Sequence, residues 1–221
     1  MESDFDHGFG WNTGVLYKGP RFSWGLSYRS KIKIDYQGDG ELEQISTGSP
    51  FFDAVVAQTI PFGTALPIQT GIEFPDMASL GVAYHLSPTA TVEVDVNRTG
   101  WSSFDEVVLD FVSAPSFSSV IPQHYEDANN YRVGLRLGPE DHQWRFGAWI
   151  DESPQPDEAV GPLLPDADRV GLSLGYGMKR LDLALMYVEF DERTTTTNED
   201  GFFGTYNTDV LLFGATVRFG G

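Results

Sequence analysis

The sequence predicts an all-β fold, an antiparallel transmembrane β-barrel wall of about nine strands, on three observations. Apolar and polar residues alternate in segment after segment, tight and long connections alternate between the segments, and one parity of the alternating runs is rich in glycine and serine. The alternation is clearest within 74–104, where Ala90, Val92, Val94 and Val96 share one parity and Thr91, Glu93, Asp95 and Asn97 the other. Such a strand has one apolar and one polar face. In a water-soluble sheet the apolar face meets a packed core; in a barrel wall it meets lipid and the polar face meets water. This stretch by itself fits both.

Composition narrows the classes. The 221 residues include 32 acidic against 14 basic side chains, a net charge of -18. That balance excludes nucleic acid held through its phosphates. With no cysteine, disulfide staples and thiolate metal sites are excluded too. No window reaches the roughly 20 apolar residues of a membrane-spanning helix, which leaves barrels untouched because their strands alternate. The N-terminus, MESDFDHGFGWN, has neither a basic nor an apolar region of a signal peptide.

Taken in order, Phe9, Trp11, Thr13, Val15 and Tyr17 form a first strand, and Lys18–Arg21 a turn. Phe22 to Tyr36 alternates over about 15 residues, against the usual five or six in soluble sheets. Residues 38–71 break the pattern. There Ser49-Pro50 provides an N-cap and first helical position ahead of FFDAVVAQTI, with Asp53 in the first turn. The short helix this predicts is apolar around much of its circumference, and Pro61 ends it. Ala78–Leu86 and Ala90–Asn97 make a hairpin reversing at Ser87-Pro88. Val107, Leu109 and Phe111 continue that second strand on the opposite parity, which implies a bulge near 99–103. Residues 112–124 read as a loop. Tyr131–Leu137 and Trp144–Ile150 form a hairpin, 152–168 a proline-rich acidic loop, Val170–Met178 and Leu181–Tyr187 another hairpin, and 208–219 the last strand after a polar tip.

The turns near 18–21, 87–88, 138–142 and 179–180 are short, whereas 38–71, 112–124, 152–168 and 193–204 are long. Short turns at one end and long loops at the other are the asymmetry of outer-membrane barrels. Tyr17, Phe22, Trp24, Tyr84, Trp144 and Tyr176 lie near the short turns and suit an interfacial girdle. The alternative architecture is a soluble β-sandwich or calycin-like lipid-binding protein, whose outward polar parity should be rich in lysine and glutamate. Here that parity carries Gly25, Gly81, Gly134, Gly147, Gly171, Gly175 and Gly177, which favours a lumen and leaves it volume.

FPDMASLGVAYHL, the TGWSSF at Thr99–Phe104, and DESPQP followed by LPDADR within 151–169 resemble the C-terminal portion of the FadL/TodX-type outer-membrane transporters of long-chain fatty acids and other hydrophobic compounds. The resemblance runs across nearly the whole chain. It implies a fourteen-stranded barrel plugged by an N-terminal hatch, of which residues 1–221 form one segment, the last nine strands, so that signal peptide, hatch and first strands are expected outside this sequence. An open, curved sheet with two bare edges follows. It further implies a bacterial outer-membrane location, passive uptake of hydrophobic ligand, outer-membrane lipid and lipopolysaccharide as surroundings, the barrel-assembly machinery as a partner, and no cofactor.

The loop at 38–71 falls where the family has an external loop forming its entry groove, so Phe51, Phe52, Val55, Val56, Ile60 and Phe62 are candidates for ligand capture. PQHYEDANNYR resembles a family segment with lysine where Glu126 stands. That departure favours neutral apolar compounds over fatty acids unless Arg132 or Arg169 supplies the positive charge. The plainer reading of both arginines is an interior ion-pair network with Glu93, Asp95 or Asp168. Other signals carry little chemistry. Gly171–Gly175 satisfies G-x-S-x-G, but that motif needs a strand-to-helix turn and alternation runs straight through it. The histidines at 7, 85, 124 and 142 lack metal-ligand spacing, and the 151–168 carboxylates read as a solvated acidic loop rather than a calcium site.

Overall fold

The computed structural model describes residues 2–3, 6–162, 165–197 and 201–219. The tip Asn198–Asp200 and the leucine pair of the 152–168 loop, both read above as loop, lie outside them. The chain divides into two units, one made of Gly10–Lys31, Pro75–Asp105 and Gln123–Gly221, the other of Met1–Phe9, Ile32–Phe74 and Glu106–Pro122.

The larger unit is a nine-stranded sheet. Its strands, in chain order, are β1 (Asn12–Lys18), β2 (Phe22–Arg29), β3 (Met77–Ser87), β4 (Ala90–Thr99), β5 (Ala128–Leu137), β6 (His142–Asp151), β7 (Arg169–Met178), β8 (Leu181–Phe190) and β9 (Asp209–Val217). Each pairs antiparallel with its chain neighbour, and β1 and β9 are the two edges, so the expected open sheet of nine strands is present. One cross-strand row shows why these segments align. Tyr17, Trp24, Val82, Val94, Val133, Ala148, Leu172, Tyr187 and Leu211 stand side by side across all nine strands, every one apolar or aromatic. A one-residue slip would put glycine, aspartate and arginine into that row. The row stays largely open: Leu172 is 58% exposed and Leu211 69%. Near the short turns, Trp144 packs on Tyr176 with ring centroids 4.5 Å apart, and Tyr17 stacks on Trp24.

The smaller unit corrects the sequence reading. The run Phe22–Tyr36 is two strands. Ser30 donates its backbone N–H to the Trp11 carbonyl, while its hydroxyl accepts from the Trp11 N–H and donates to the Lys31 carbonyl. These local bonds compete with ladder pairing and end β2. Because Ile32, Ile34 and Tyr36 keep the parity of Phe22 and Trp24, the pattern hides the break. Ile32–Glu41 pairs instead with Ala65–Phe74 along ten residue pairs, so much of the expected irregular stretch 38–71 is a hairpin whose ends hold helix α1, Pro50–Ala57. Glu106–Phe111 does not extend β4; it pairs with Ala65–Phe74 and with Ser119–Pro122, which places a strand inside the expected 112–124 loop. Glu2–Ser3 pairs with Ile32–Glu41 at the other side of this sheet. Leu66 and Ile68 are its buried apolar residues. The first strand also starts later than its aromatics suggest, at Asn12. Within the 193–204 loop, Arg193–Thr195 and Gly204–Tyr206 form a short two-stranded ladder.

Candidate functional site

The inner face of the nine-stranded sheet carries the parity left over by the apolar row. Along it, Gly81, Asp95, Arg132, Trp149 and Gly171 are successive cross-strand neighbours. Its glycines do less to open space than the sequence suggested. A Cβ at Gly171 would meet the Trp149 indole, one at Gly81 would lie 2.5 Å from Asp95 Oδ1, and one at Gly147 2.5 Å from Ser173 Oγ. Side chains from adjacent strands lie flat across these positions, so the glycines make room for neighbours at least as much as for a lumen. For Gly171 this also accounts for its place in G-x-S-x-G. A hollow of about 560 Å³ remains over β1 to β5, walled by Gly25, Gly81, Glu93, Asp95, Asn97 and Arg132 among others.

Arg132 and Arg169 share this inner face and differ in commitment. Arg132 opens onto the hollow beside Asp95 and donates its Nε to the Asn130 side chain; among the described residues it forms no ion pair. Arg169 is consumed. Its Nη2 meets Asp151 Oδ2 at 2.6 Å, its Nη1 meets Asp166 Oδ1 at 2.7 Å, and its guanidinium sits over the Phe190 ring. The network foreseen for the arginines therefore exists at Arg169 with Asp151 and Asp166 in place of Asp168, which accepts the Ser153 N–H at 2.7 Å.

A second arginine, unforeseen, completes this corner. Arg193 donates to the carbonyls of Gln155 (2.7 Å) and Asp166 (3.1 Å) and pairs with Asp157. Gln155 in turn donates to the Ala159 carbonyl and accepts the Asp166 N–H. In the same loop Val160, 1% exposed, and Ala167 are buried. Burial pushes the Tyr125 phenol up, with the Asp166 charge adding to it. Over its described residues the loop 152–168 is thus a hydrogen-bonded structure rather than the solvated acidic loop expected from the sequence. No periodic signal points to a partner 38 residues away. Glu126 stands exposed just before β5, its N–H bonded to the Pro154 carbonyl.

The remaining candidates lie in the smaller unit. Phe51, Phe52 and Val55 project from α1, Phe51 71% exposed, with the two phenyl rings edge to face at 5.7 Å. No residue of α1 is buried. Ile60 and Phe62, beyond it, are half-buried, as is Val56. Helix propensity alone does not hold eight such residues. Ser49 occupies the N-cap position without a side-chain bond, and Asp53 takes over. Its Oδ1 accepts the Thr47 N–H (2.9 Å) and hydroxyl (2.7 Å), and its Oδ2 the Ser46 hydroxyl (2.8 Å). These bonds, led by the Thr47 N–H, hold the Asp53 carboxyl below the usual carboxylate range.

The chain matches, over residues 2–220, the family described as Outer membrane protein transport protein (OMPP1/FadL/TodX). A long-chain fatty acid transport protein of Escherichia coli O6:H1 is 31% identical over 176 residues, 76% of this chain and 38% of that protein. Outer membrane protein P1 of Haemophilus influenzae is 25% identical over 96% of this chain and 47% of its own length. The chain thus spans less than half the length of these curated relatives. Among solved structures, a Pseudomonas aeruginosa FadL homologue superposes with a TM-score of 0.70 at 23% identity, over 94% of this chain and 49% of that one. The Pseudomonas putida toluene transporter TodX superposes at 0.51 and 20% identity, over 85% of this chain and 45% of its own. An antiparallel sheet with an exposed apolar face, a polar inner face and this sequence match leads to one assignment: the chain belongs to the outer membrane protein transport family of OMPP1, FadL and TodX.

Proposed function

We propose that this chain contributes wall and external loops to an outer-membrane channel through which hydrophobic compounds, long-chain fatty acids or neutral apolar molecules, pass without an energy source. One observation carries the reading. A row of nine apolar or aromatic residues lies largely open across nine strands while the opposite face holds charges and glycines, the reverse of a soluble barrel with its core inside. Ten-residue strands at about 3.3 Å per residue, tilted by about 40°, match an apolar band about 25 Å tall. The names of the relatives support a hydrophobic cargo, and their greater length supports reading residues 1–221 as one segment of a larger barrel. Unpaired edges are costly in lipid, so further strands or another chain close β1 and β9. In this reading Phe51, Phe52, Val55, Val56, Ile60 and Phe62 capture ligand, Arg132 faces the lumen, and Arg169 holds the 152–168 loop in place. Outer-membrane lipid bathes the outer face, lipopolysaccharide surrounds the long-loop end, the barrel-assembly machinery inserts the sheet, and no catalysis is involved.

Refolding into lipid vesicles beside refolding in plain buffer tests this. The channel reading expects the chain to float with vesicles, to give a β-type circular dichroism spectrum and to shift in gel mobility on boiling. A folded monomer in buffer that ignores vesicles would sink it and favour the soluble lipid-binding alternative.

A further inference from the structure

The smaller unit is nearly without cationic side chains. Over the segments that compose it, Met1–Phe9, Ile32–Phe74 and Glu106–Pro122, the only lysine or arginine in the sequence is Lys33. The stretch 32–74, which carries α1, sets Asp35, Asp39, Glu41, Glu43, Asp53 and Glu73 against it.

Lys33 is already engaged. Its Nζ meets Asp35 Oδ1 at 3.0 Å. The two side chains lie together over Gly71, where a Cβ would fall 2.8 Å from Asp35 Oδ1 and 3.4 Å from Lys33 Cε. Lys33 also stands at the other end of the hairpin from α1. The helix lies in the connection between Glu41 and Ala65, whereas Lys33 pairs with Glu73, about 26 Å further along the strand at 3.3 Å per residue.

Two carboxylates stand beside the candidate capture residues instead. Glu41 Oε1 lies 3.7 Å from where a Cβ of Gly63 would be, and Gly63 follows Phe62 in the chain. Asp53 follows Phe51 and Phe52 in the first turn of α1. A helix N-terminus attracts anions, but here Asp53 supplies a negative charge of its own, with Oδ1 and Oδ2 taken by Thr47 and Ser46. The same bonds keep its carboxyl ionised across the neutral range.

We propose that the capture surface of Phe51, Phe52, Val55 and Phe62 selects apolar ligands with uncharged heads, and that Asp53 and Glu41 are the residues that reject a carboxylate. This selection rests on the capture reading and narrows its cargo: uncharged apolar compounds reach the surface freely, and a fatty acid reaches it as the neutral acid. Each exposed carboxylate weakens an anion's binding by about threefold, the repulsion of two unit charges roughly 7 Å apart in water. Salt screens that repulsion.

The test uses the 221-residue chain in phosphatidylcholine vesicles at low salt and mildly alkaline pH. Binding of labelled dodecanol and laurate is expressed relative to each probe's own partition into empty vesicles, and the share of α1 is the part lost in the double variant Phe51→Ala/Phe52→Ala. Dodecanol should bind this share about tenfold more tightly than laurate, two carboxylates acting at about threefold each. Glu41→Gln should narrow the gap about threefold, Glu41→Lys should narrow it further, and added salt should narrow it in the unaltered chain. Glu140→Gln, the same loss of charge in the β5–β6 turn of the larger unit, should leave the gap as it was. Should Glu41→Gln fail to float with vesicles, Asp53→Asn carries the test, read as the ratio of the two probes so that any loosening of α1 cancels. Laurate binding as tightly as dodecanol, or a gap that Glu41→Gln does not move, overturns the selection and leaves capture by α1 standing. An equal shift from Glu140→Gln assigns the gap to net charge and overturns the roles of Glu41 and Asp53. Binding that the double variant does not reduce overturns capture itself.

Discussion

Leu174 stands at the middle of β7, a strand of ten residues, between Phe146 on β6 and Leu185 on β8, and is 40% exposed. Val170, on the same face and 46% exposed, lies four residues nearer the long-loop end, about 13 Å along the strand at 3.3 Å per residue. If lipid covers this face, arginine at the band centre costs about 2–4 kcal/mol and near its rim about 0–1. If water covers it, both are ordinary surface substitutions within about 0.5 kcal/mol. Leu174→Arg should therefore destabilise the chain in vesicles by about 1–4 kcal/mol more than Val170→Arg, at least about a fivefold difference in the folding equilibrium. Urea unfolding in vesicles followed by tryptophan fluorescence measures it, with the floated fraction as a second readout. Equal and small effects for the two variants would refute a lipid-covered outer face.

Three further outcomes follow from named contacts. Phe51→Ala and Phe52→Ala should leave stability within about 0.5 kcal/mol, because α1 buries nothing, while weakening capture of a hydrophobic fluorescent probe; unchanged capture would remove α1 from the ligand path. Asp53 has its carboxyl lowered by Thr47 and Ser46, so its contribution is complete above the ordinary carboxylate value of about 3.9 and is lost as pH falls through the lowered value. Limited proteolysis at 44–58 should accordingly increase only in acid, and Asp53→Asn should be cut more readily at neutral pH. Gly171→Ala forces the Trp149 ring aside and should cost about 1–3 kcal/mol, with Trp149→Ala restoring part of the loss in the double variant; full additivity would refute the packing of the indole over Gly171.

How much of this was legible beforehand depends on whether the controlling interaction was periodic. Leu172, Leu174 and Tyr176 declare their face by alternation, and short turns such as Lys179-Arg180 declare themselves by interrupting it. Nine strands, their antiparallel order and the polar inner parity all come from that period of two, because a strand cannot shift by one residue without turning its apolar side over. The family resemblance added an expectation about cargo, which alternation cannot specify.

What the tertiary structure decided is where pairing and charge go between residues far apart in the chain. Ile32–Glu41 carries the same parity as β2, yet Ser30 ends that strand and the continuation joins a separate sheet with Ala65–Phe74. The glycines of the inner face declared small volume, but only the cross-strand register shows that Trp149, Asp95 and Asp182 occupy much of that space. Arg169 and Arg132 are alike in sequence, one ion-paired with Asp151 and Asp166, the other open to the hollow. The sharing of Asp182 by Arg145 and Arg218 depends on β6 to β9 being brought into register, and side-chain identity alone carries no information about that distance. The sequence by itself determined which faces are apolar and how often the chain turns, because those are local and repeat; only the folded sheet decided which charges are paired, as Arg169 is with Asp151 and Asp166, and which stand open, as Arg132 does.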